Sequence, residues 1–199
     1  MLTFSIHTGA DAVALAPHLA RLHVECLSGW PHFAVKTIDY TAKYRASLTA
    51  SAETNLVVLA RDGDAVVGAT AGMKLPKDLT EVVAALDARG MSADRAYWIT
   101  QMTILGTYRG TGVSNTLSYM REDHARGLGV YDHIVFSALV RPADHPLRPS
   151  DYVPYDGMWN KRGYRHLEGA DMRTRFVDSL DRPSKPTDKV LQLWVKDLT

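Results

Sequence analysis

The segment from Tyr97 to Val140 limits the fold more than any other part of the chain. Tyr97 to Leu105 is an apolar, β-branched run that reads as a strand. Gly106, Gly110 and Gly112 follow at once, and Thr116 to Arg126 has helical periodicity, stopped by Gly127 and Gly129. His133 to Val140 is a second apolar strand. Strand, glycine turn, helix and strand in this order form a parallel crossover, which packs its helix on one face of a sheet. All-helical and all-β folds are therefore excluded.

The flanking segments extend that sheet. Leu2, Phe4 and Ile6 alternate with polar residues, as in a strand. Ala12 to Leu27 and Asp39 to Thr49 read as helices, the first capped by Thr8 or Asp11 and broken by Gly29, Trp30 and Pro31. Asn55 to Arg61 and Val66 to Leu75 are strands joined at Asp62-Gly63-Asp64, a hairpin signal. The small residues Gly68, Ala69, Ala71 and Gly72 imply that something, such as a helix, packs closely on the second strand. Thr80 to Ala88 is a short helix, Arg141 to Pro154 a proline-rich loop, and Tyr155 to Arg162 another short helix. Met172 to Val177 and Val190 to Val195 complete the strands, joined by a polar loop with Pro183 and Pro186. The expected architecture is α/β (α+β): a mixed sheet of about seven strands with helices on both faces, in one domain spanning residues 1–199.

Composition narrows the function classes. A net charge of +1, without a basic run, argues against a nucleic-acid or membrane-surface partner. Cys26 is the only cysteine, so no internal disulfide forms, and its apolar neighbours suggest a buried, inert thiol. The first residues lack a signal-peptide pattern, and no window is apolar enough to span a bilayer. The expected location is cytoplasmic. The histidines have no metal-ligand spacing, so no metal site is expected.

The turn itself carries chemistry. Where a strand runs through glycines into a helix, consecutive backbone N–H groups lack intrahelical partners and point at one spot. The helix dipole adds partial positive charge, and glycine lets the chain approach a phosphate closely. Arg109 either contacts a phosphate or braces the turn. A nucleotide P-loop is excluded because the Gly-Lys-Ser/Thr sequence is absent. A dinucleotide fingerprint is excluded because Asn115 stands where its third glycine belongs.

Arg109-Gly110-Thr111-Gly112-Val113-Ser114 resembles the Arg/Gln-x-x-Gly-x-Gly/Ala motif of the GCN5-related N-acetyltransferases, with Ser114 departing at the last position. Arg121 to Gly129 is similar to that family's helix before its fifth strand. Trp159-Asn160-Lys161-Arg162-Gly163-Tyr164 resembles its aromatic-x-x-x-Gly-aromatic element. The Val140 to Tyr152 segment resembles an uncharacterised bacterial subgroup.

The resemblance implies an acyl-CoA-dependent N-acyltransferase with acetyl-CoA or CoA as cosubstrate. It implies a bulged fourth strand splayed from the fifth, with pantetheine between them, paired to the backbone of Thr103, Ile104 and Leu105. The pyrophosphate would lie on Arg109, Gly110, Thr111, Gly112, Val113, Ser114 and Asn115. The acceptor, a small-molecule or protein amine, would attack the thioester directly.

Gln101 stands where related sequences often carry glutamate, and Trp159 where they often carry tyrosine. A glutamine only hydrogen-bonds, so Gln101 is expected to orient a water or the acceptor, and Gln101→Glu to preserve or raise turnover. His145 is the candidate base and Tyr155 the candidate acid, with bracing and packing as the plainer alternatives. Trp30, Tyr40 and Tyr152 are candidate acceptor contacts. Arg141 and Arg148 would attract an acidic substrate or the CoA 3′-phosphate, unless they are paired on the surface. Because neither usual proton-transfer position titrates, the rival reading is a non-catalytic acyl-CoA binding or sensing domain. A homodimer is left open.

Overall fold

The computed structural model describes residues 1–181 and 185–198. Pro183, assigned to the last connecting loop, lies outside them. The elements are β1 Leu2–Thr8, α1 Gly9–Ala14, α2 Ala16–Leu27, α3 Tyr40–Ala50, β2 Leu56–Asp62, β3 Ala65–Lys74 and α4 Thr80–Asp87. After them come β4 Ala96–Ile104, α5 Val113–Gly127, β5 His133–Val140, α6 Asp156–Lys161, β6 Arg165–His166, β7 Met172–Phe176 and β8 Thr187–Asp197. They build one sheet in the order β1-β2-β3-β4-β5-β8-β6, with β7 also paired to β8. Among the described residues only β4 and β5 run parallel. The sheet has eight strands among the described residues. The extra one, β6, is too short to show a period in sequence.

The expected helix from Ala12 to Leu27 is divided. Pro17 has no N–H to give, and its ring meets the carbonyl of the preceding turn, so α1 stops at Ala14 and α2 restarts with proline in its first turn. Neither Thr8 nor Asp11 caps α1 by its side chain. Buried Asn55, just before β2, does so, its Oδ1 accepting from Gly9 N at 2.5 Å while its Nδ2 donates to Leu48 O at 2.8 Å.

One face of the sheet packs on α1, α2 and α3 through Leu19, Leu22, Leu48, Val57 and Leu59. The other packs on α5 through Val113, Leu117, Tyr97 and Ile134. Burial of each such aliphatic side chain contributes roughly 1.5–3 kcal/mol. The small residues of β3 admit more than a helix. A Cβ on Gly68 would meet Ile104, the Thr103 carbonyl and Leu117 of α5, whereas one on Gly72 would meet the Tyr97 ring of β4 at 2.5 Å.

Histidines in the first helical layer couple stability to pH. Burial lowers His23 to about 4, with the charges of Lys43 and His32 adding to the effect. Burial beside Arg141 lowers His32 to about 4. Both are neutral in the fold at pH 7, whereas the unfolded chain takes up protons as pH falls through 6.5. Stability is therefore full above that value and is lost as pH falls toward 4. Asp178 and Asp181, held below their ordinary 3.8, add to the loss only in stronger acid. Thermal unfolding is expected to show a lower Tm at pH 5 than at pH 7, with a smaller difference in His23→Phe.

Candidate functional site

The site is shaped by the divergence of β4 from β5. They pair only over Ala96–Trp98 and His133–Val135. The β3–β4 register slips between Ala71/Gly72 on one side and Gln101/Ile99 on the other, so Thr100 is an extra residue in β4. Such a bulge bends its strand and increases its twist. Beyond Trp98 the β5 side of β4 is unpaired.

Which backbone groups face the opening follows from the register. Leu105 donates its N–H to Val67 O at 2.9 Å. In an antiparallel pair alternate residues bond across, so Thr103 and Gln101 also turn their N–H groups to β3. Of the expected pantetheine contacts, Thr103 and Leu105 are therefore committed to β3. Ile104 faces the gap, and the residue joining it there is Met102.

At the end of β4 a 3-10 turn, Gly106–Tyr108, leads into the glycine loop. Gly110 and Gly112 have φ of 78° and 89°, left-handed values that favour glycine. Gly112 is the N-cap of α5, which begins at Val113 rather than at the expected Thr116. Among the described residues, the N–H groups of residues 110–114 have no protein acceptor. Asn115 differs: its N–H bonds Gly112 O at 2.9 Å, which removes it from the expected set. Val113 is buried and anchors the loop, and Thr111 Oγ1 donates to Tyr108 O at 2.7 Å. Arg109 is exposed at the edge of the loop.

Arg162 is a site residue that motif reading missed. Its Nη2 donates to Ser114 Oγ and Asn115 Oδ1, both at 2.5 Å, and its Nη1 to Ser118 Oγ at 3.3 Å. This accounts for a hydroxyl at Ser114: it is an acceptor for the guanidinium lying over the first turn of α5. The departure of Ser114 from glycine or alanine was the available signal.

Gln101 is 5% exposed. Its Nε2 donates to Leu19 O at 3.1 Å and to Thr103 Oγ1 at 2.8 Å, tying β4 to α2. Leu19 O only accepts, so the amide nitrogen must face it. Oε1 is buried without a partner.

The remaining candidates form a chain of rings. Trp30 lies 5.2 Å from His145 and 5.7 Å from Tyr152, Tyr152 lies 6.4 Å from Tyr155, and Tyr155 lies 6.0 Å from Trp159. Trp159 continues the chain to Phe136 of β5 and Trp194 of β8. The loop after β5 thus packs on the segment after α2. Tyr40 is not part of this cluster; it is buried between α2 and α3, 4.2 Å from the His23 ring. His145 accepts Leu147 N–H on Nδ1 at 3.1 Å, so its neutral ring carries the proton on Nε2 and has no free lone pair. In this geometry His145 braces its loop and is not placed as a base. Tyr155 is 43% exposed and contacts rings.

Arg141 and Arg148 are also occupied. Arg141 bonds buried Asp178 and Pro31 O, the latter at 2.9 Å, and Arg148 lies over the Tyr152 ring. Burial raises the Asp178 carboxyl, but Arg141, the Leu180 N–H and Lys189 outweigh it and hold it low. Burial pushes the Cys26 thiol up, against the opposing charge of Arg109. Among the described residues no group of His, Cys, Asp or Glu is poised to hold a metal, and no helix is long and apolar enough to cross a membrane.

This arrangement is a known one. The chain has the fold of the GCN5-related N-acetyltransferases. An acetyltransferase of that family from Staphylococcus aureus Mu50 superposes with a TM-score of 0.60 at 10% identity, over 100% of both chains. An aminoglycoside 6′-N-acetyltransferase complexed with coenzyme A gives 0.60 at 13% identity, over 99% of this chain and 97% of that one. The protein yncA from Salmonella typhimurium, solved with acetyl-CoA, gives 0.55 at 14%, over 100% and 95%. No family model and no curated protein matches the sequence.

Proposed function

We propose that this chain transfers an acetyl or other short acyl group from CoA to an amine. The observation that carries the reading is continuity: the unpaired edge of β4 runs directly into the free N–H groups of residues 110–114. An extended ligand with amides along its arm and a pyrophosphate at its end matches both parts. The solved structures with CoA and acetyl-CoA that share the fold support this choice.

The amine nitrogen attacks the thioester carbon as its free base. The N–C bond forms, the C–S bond breaks, the ammonium proton passes to water, and the thiolate leaves and takes up a proton. Gln101 contributes through Oε1, which lacks a partner and accepts an N–H from the incoming amine. Tyr155, whose ring lies 6.0 Å from that of Trp159, is the donor that protonates the thiolate, and Trp30 and Tyr152 form the acceptor wall. The commitment of Gln101 Nε2 and the braced His145 favour one rival, an acyl-CoA sensor without turnover.

Calorimetry with acetyl-CoA, followed by thiol-release assays over an amine panel, tests the proposal. Binding with turnover supports the enzyme, binding without turnover on any amine supports the sensor, and no binding defeats both. The geometry also reverses the expectation for Gln101→Glu. Burial would keep a glutamic acid there protonated at neutral pH, so its single O–H could replace only one of the two donated bonds and it could not serve as a base. Gln101→Glu is expected to lower both Tm and kcat. Gln101→Ala should lower kcat by roughly tenfold, the loss of one positioning hydrogen bond. An unchanged kcat in Gln101→Ala would reduce the residue to a strut.

A further inference from the structure

Behind the bulge in β4 lies a buried ionic network with no obvious packing purpose. Arg121 on α5 is 3% exposed. Its Nη1 donates to Thr70 Oγ1 at 2.7 Å and its Nη2 to the Tyr164 hydroxyl at 3.2 Å. Tyr164 donates to Glu122 Oε1 at 2.8 Å, and Lys196 Nζ donates to Glu122 Oε2 at 2.7 Å. Arg121 and Lys196 thus share one carboxylate, which leaves the cluster net positive. Thr70 in turn donates to the Gln101 carbonyl at 2.9 Å. A buried guanidinium therefore acts, through one hydroxyl, on a backbone carbonyl beside the bulge. Desolvating an arginine costs several kcal/mol, and an apolar side chain of similar volume would hold the helix at least as well.

The Gln101 carbonyl and the Met102 N–H belong to one peptide group. The carbonyl points toward β3, and the N–H points into the gap where β5 has left. A hydrogen bond accepted by a peptide carbonyl polarises that peptide and strengthens its N–H as a donor, by roughly 10–30% per bond. Met102 N–H is also the deeper of the unpaired donors, farther than Ile104 from the phosphate loop. An acyl-CoA with its pyrophosphate on residues 110–114 and its arm along β4 would bring its thioester end toward this donor.

We propose that Arg121, acting through Thr70, polarises the Gln101–Met102 peptide so that Met102 N–H is a strengthened donor to the thioester carbonyl oxygen. That oxygen gains negative charge as the amine adds, and a donor fixed beforehand stabilises it. Arg121 and Thr70 are positioning residues, and the inference rests on the acyl-CoA reading.

Infrared spectroscopy of acetyl-CoA labelled with carbon-13 at the thioester carbonyl tests this without an acceptor. Arg121 is too buried to remove safely, so Thr70 is varied: Thr70→Val keeps the shape and loses the hydroxyl, and Thr70→Ser keeps the hydroxyl. The carbonyl band of the bound wild-type complex should lie below that of free acetyl-CoA. Thr70→Val should lose roughly 10–30% of that red shift, and Thr70→Ser should retain it. A bound band identical in wild type and Thr70→Val overturns the inference alone. Absence of acetyl-CoA binding in the wild type overturns it together with the acyl-CoA reading.

Discussion

Replacing Gly112 by glutamate is expected to abolish acyl-CoA binding while leaving the protein folded. Gly112 has φ of 89° and caps α5 where the N–H groups of residues 110–114 are free. A glutamate strains the backbone and places a carboxylate where the helix end attracts an anion, so it competes with the pyrophosphate and repels it. A Cβ at this position meets nothing within 4 Å, so the damage stays at the loop. Backbone strain of this kind costs of order 1–3 kcal/mol. Loss of the phosphate contacts adds to it, and affinity should fall by about 100-fold or more. Calorimetry with CoA reads the affinity and circular dichroism the fold. Gly112→Ala separates the contributions, because it adds strain without charge and should weaken binding less. Equal affinity in wild type and Gly112→Glu would remove the loop from the binding site.

The strand, glycine turn and helix were legible because their causes are local: a left-handed φ needs glycine, and a helix start leaves N–H groups free. The strands of the hairpin and of the crossover were legible for the same reason. What the sequence hid depends on register. The extra residue at Thr100 shifts the phase of β4, so Met102, rather than Thr103 or Leu105, joins Ile104 at the gap. No local pattern marks that bulge. The split of the first helix did have a marker in Pro17, outweighed in reading by the long apolar period around it.

Arg121 illustrates a signal present but unread. Within Arg121-Glu122-Asp123-His124 it resembles a solvated face. Yet Val113, Leu117, Arg121 and Ala125 recur every four residues, and all are buried. A charge on that stripe is the sequence mark of a buried ion network. At His145 and Tyr40 residue type suggested chemistry, and what the structure shows is a turn contact and a ring contact, neither of which a local pattern marks.

The second large effect is expected at Gly72, where Gly72→Ala should strongly destabilise the fold. This position pairs with Ile99 immediately past the bulge, and its backbone lies against the ring of fully buried Tyr97. An added Cβ would sit 2.5 Å from Tyr97 Cε1 and 3.0 Å from the Trp98 carbonyl oxygen. The ring has little room to move, being packed 5.1 Å from Tyr131 in the core of the α5 face. Overpacking of this kind typically costs about 1–3 kcal/mol, which for a domain of this size lowers Tm by roughly 2–4 °C per kcal/mol. Gly68→Ala is the matched comparison, because its nearest neighbours, Ile104 Cγ1 and the Thr103 carbonyl oxygen, are at 3.3 Å rather than 2.5 Å, so its loss should be smaller. The double variant Gly72→Ala/Tyr97→Leu should recover part of the Tm, because the smaller side chain vacates the position of the ring. A Tm for Gly72→Ala equal to that of Gly68→Ala would show that β3 and β4 can separate freely here. The bulge would then not be pinned from behind, and the alignment of Met102 N–H with the gap would lose its support.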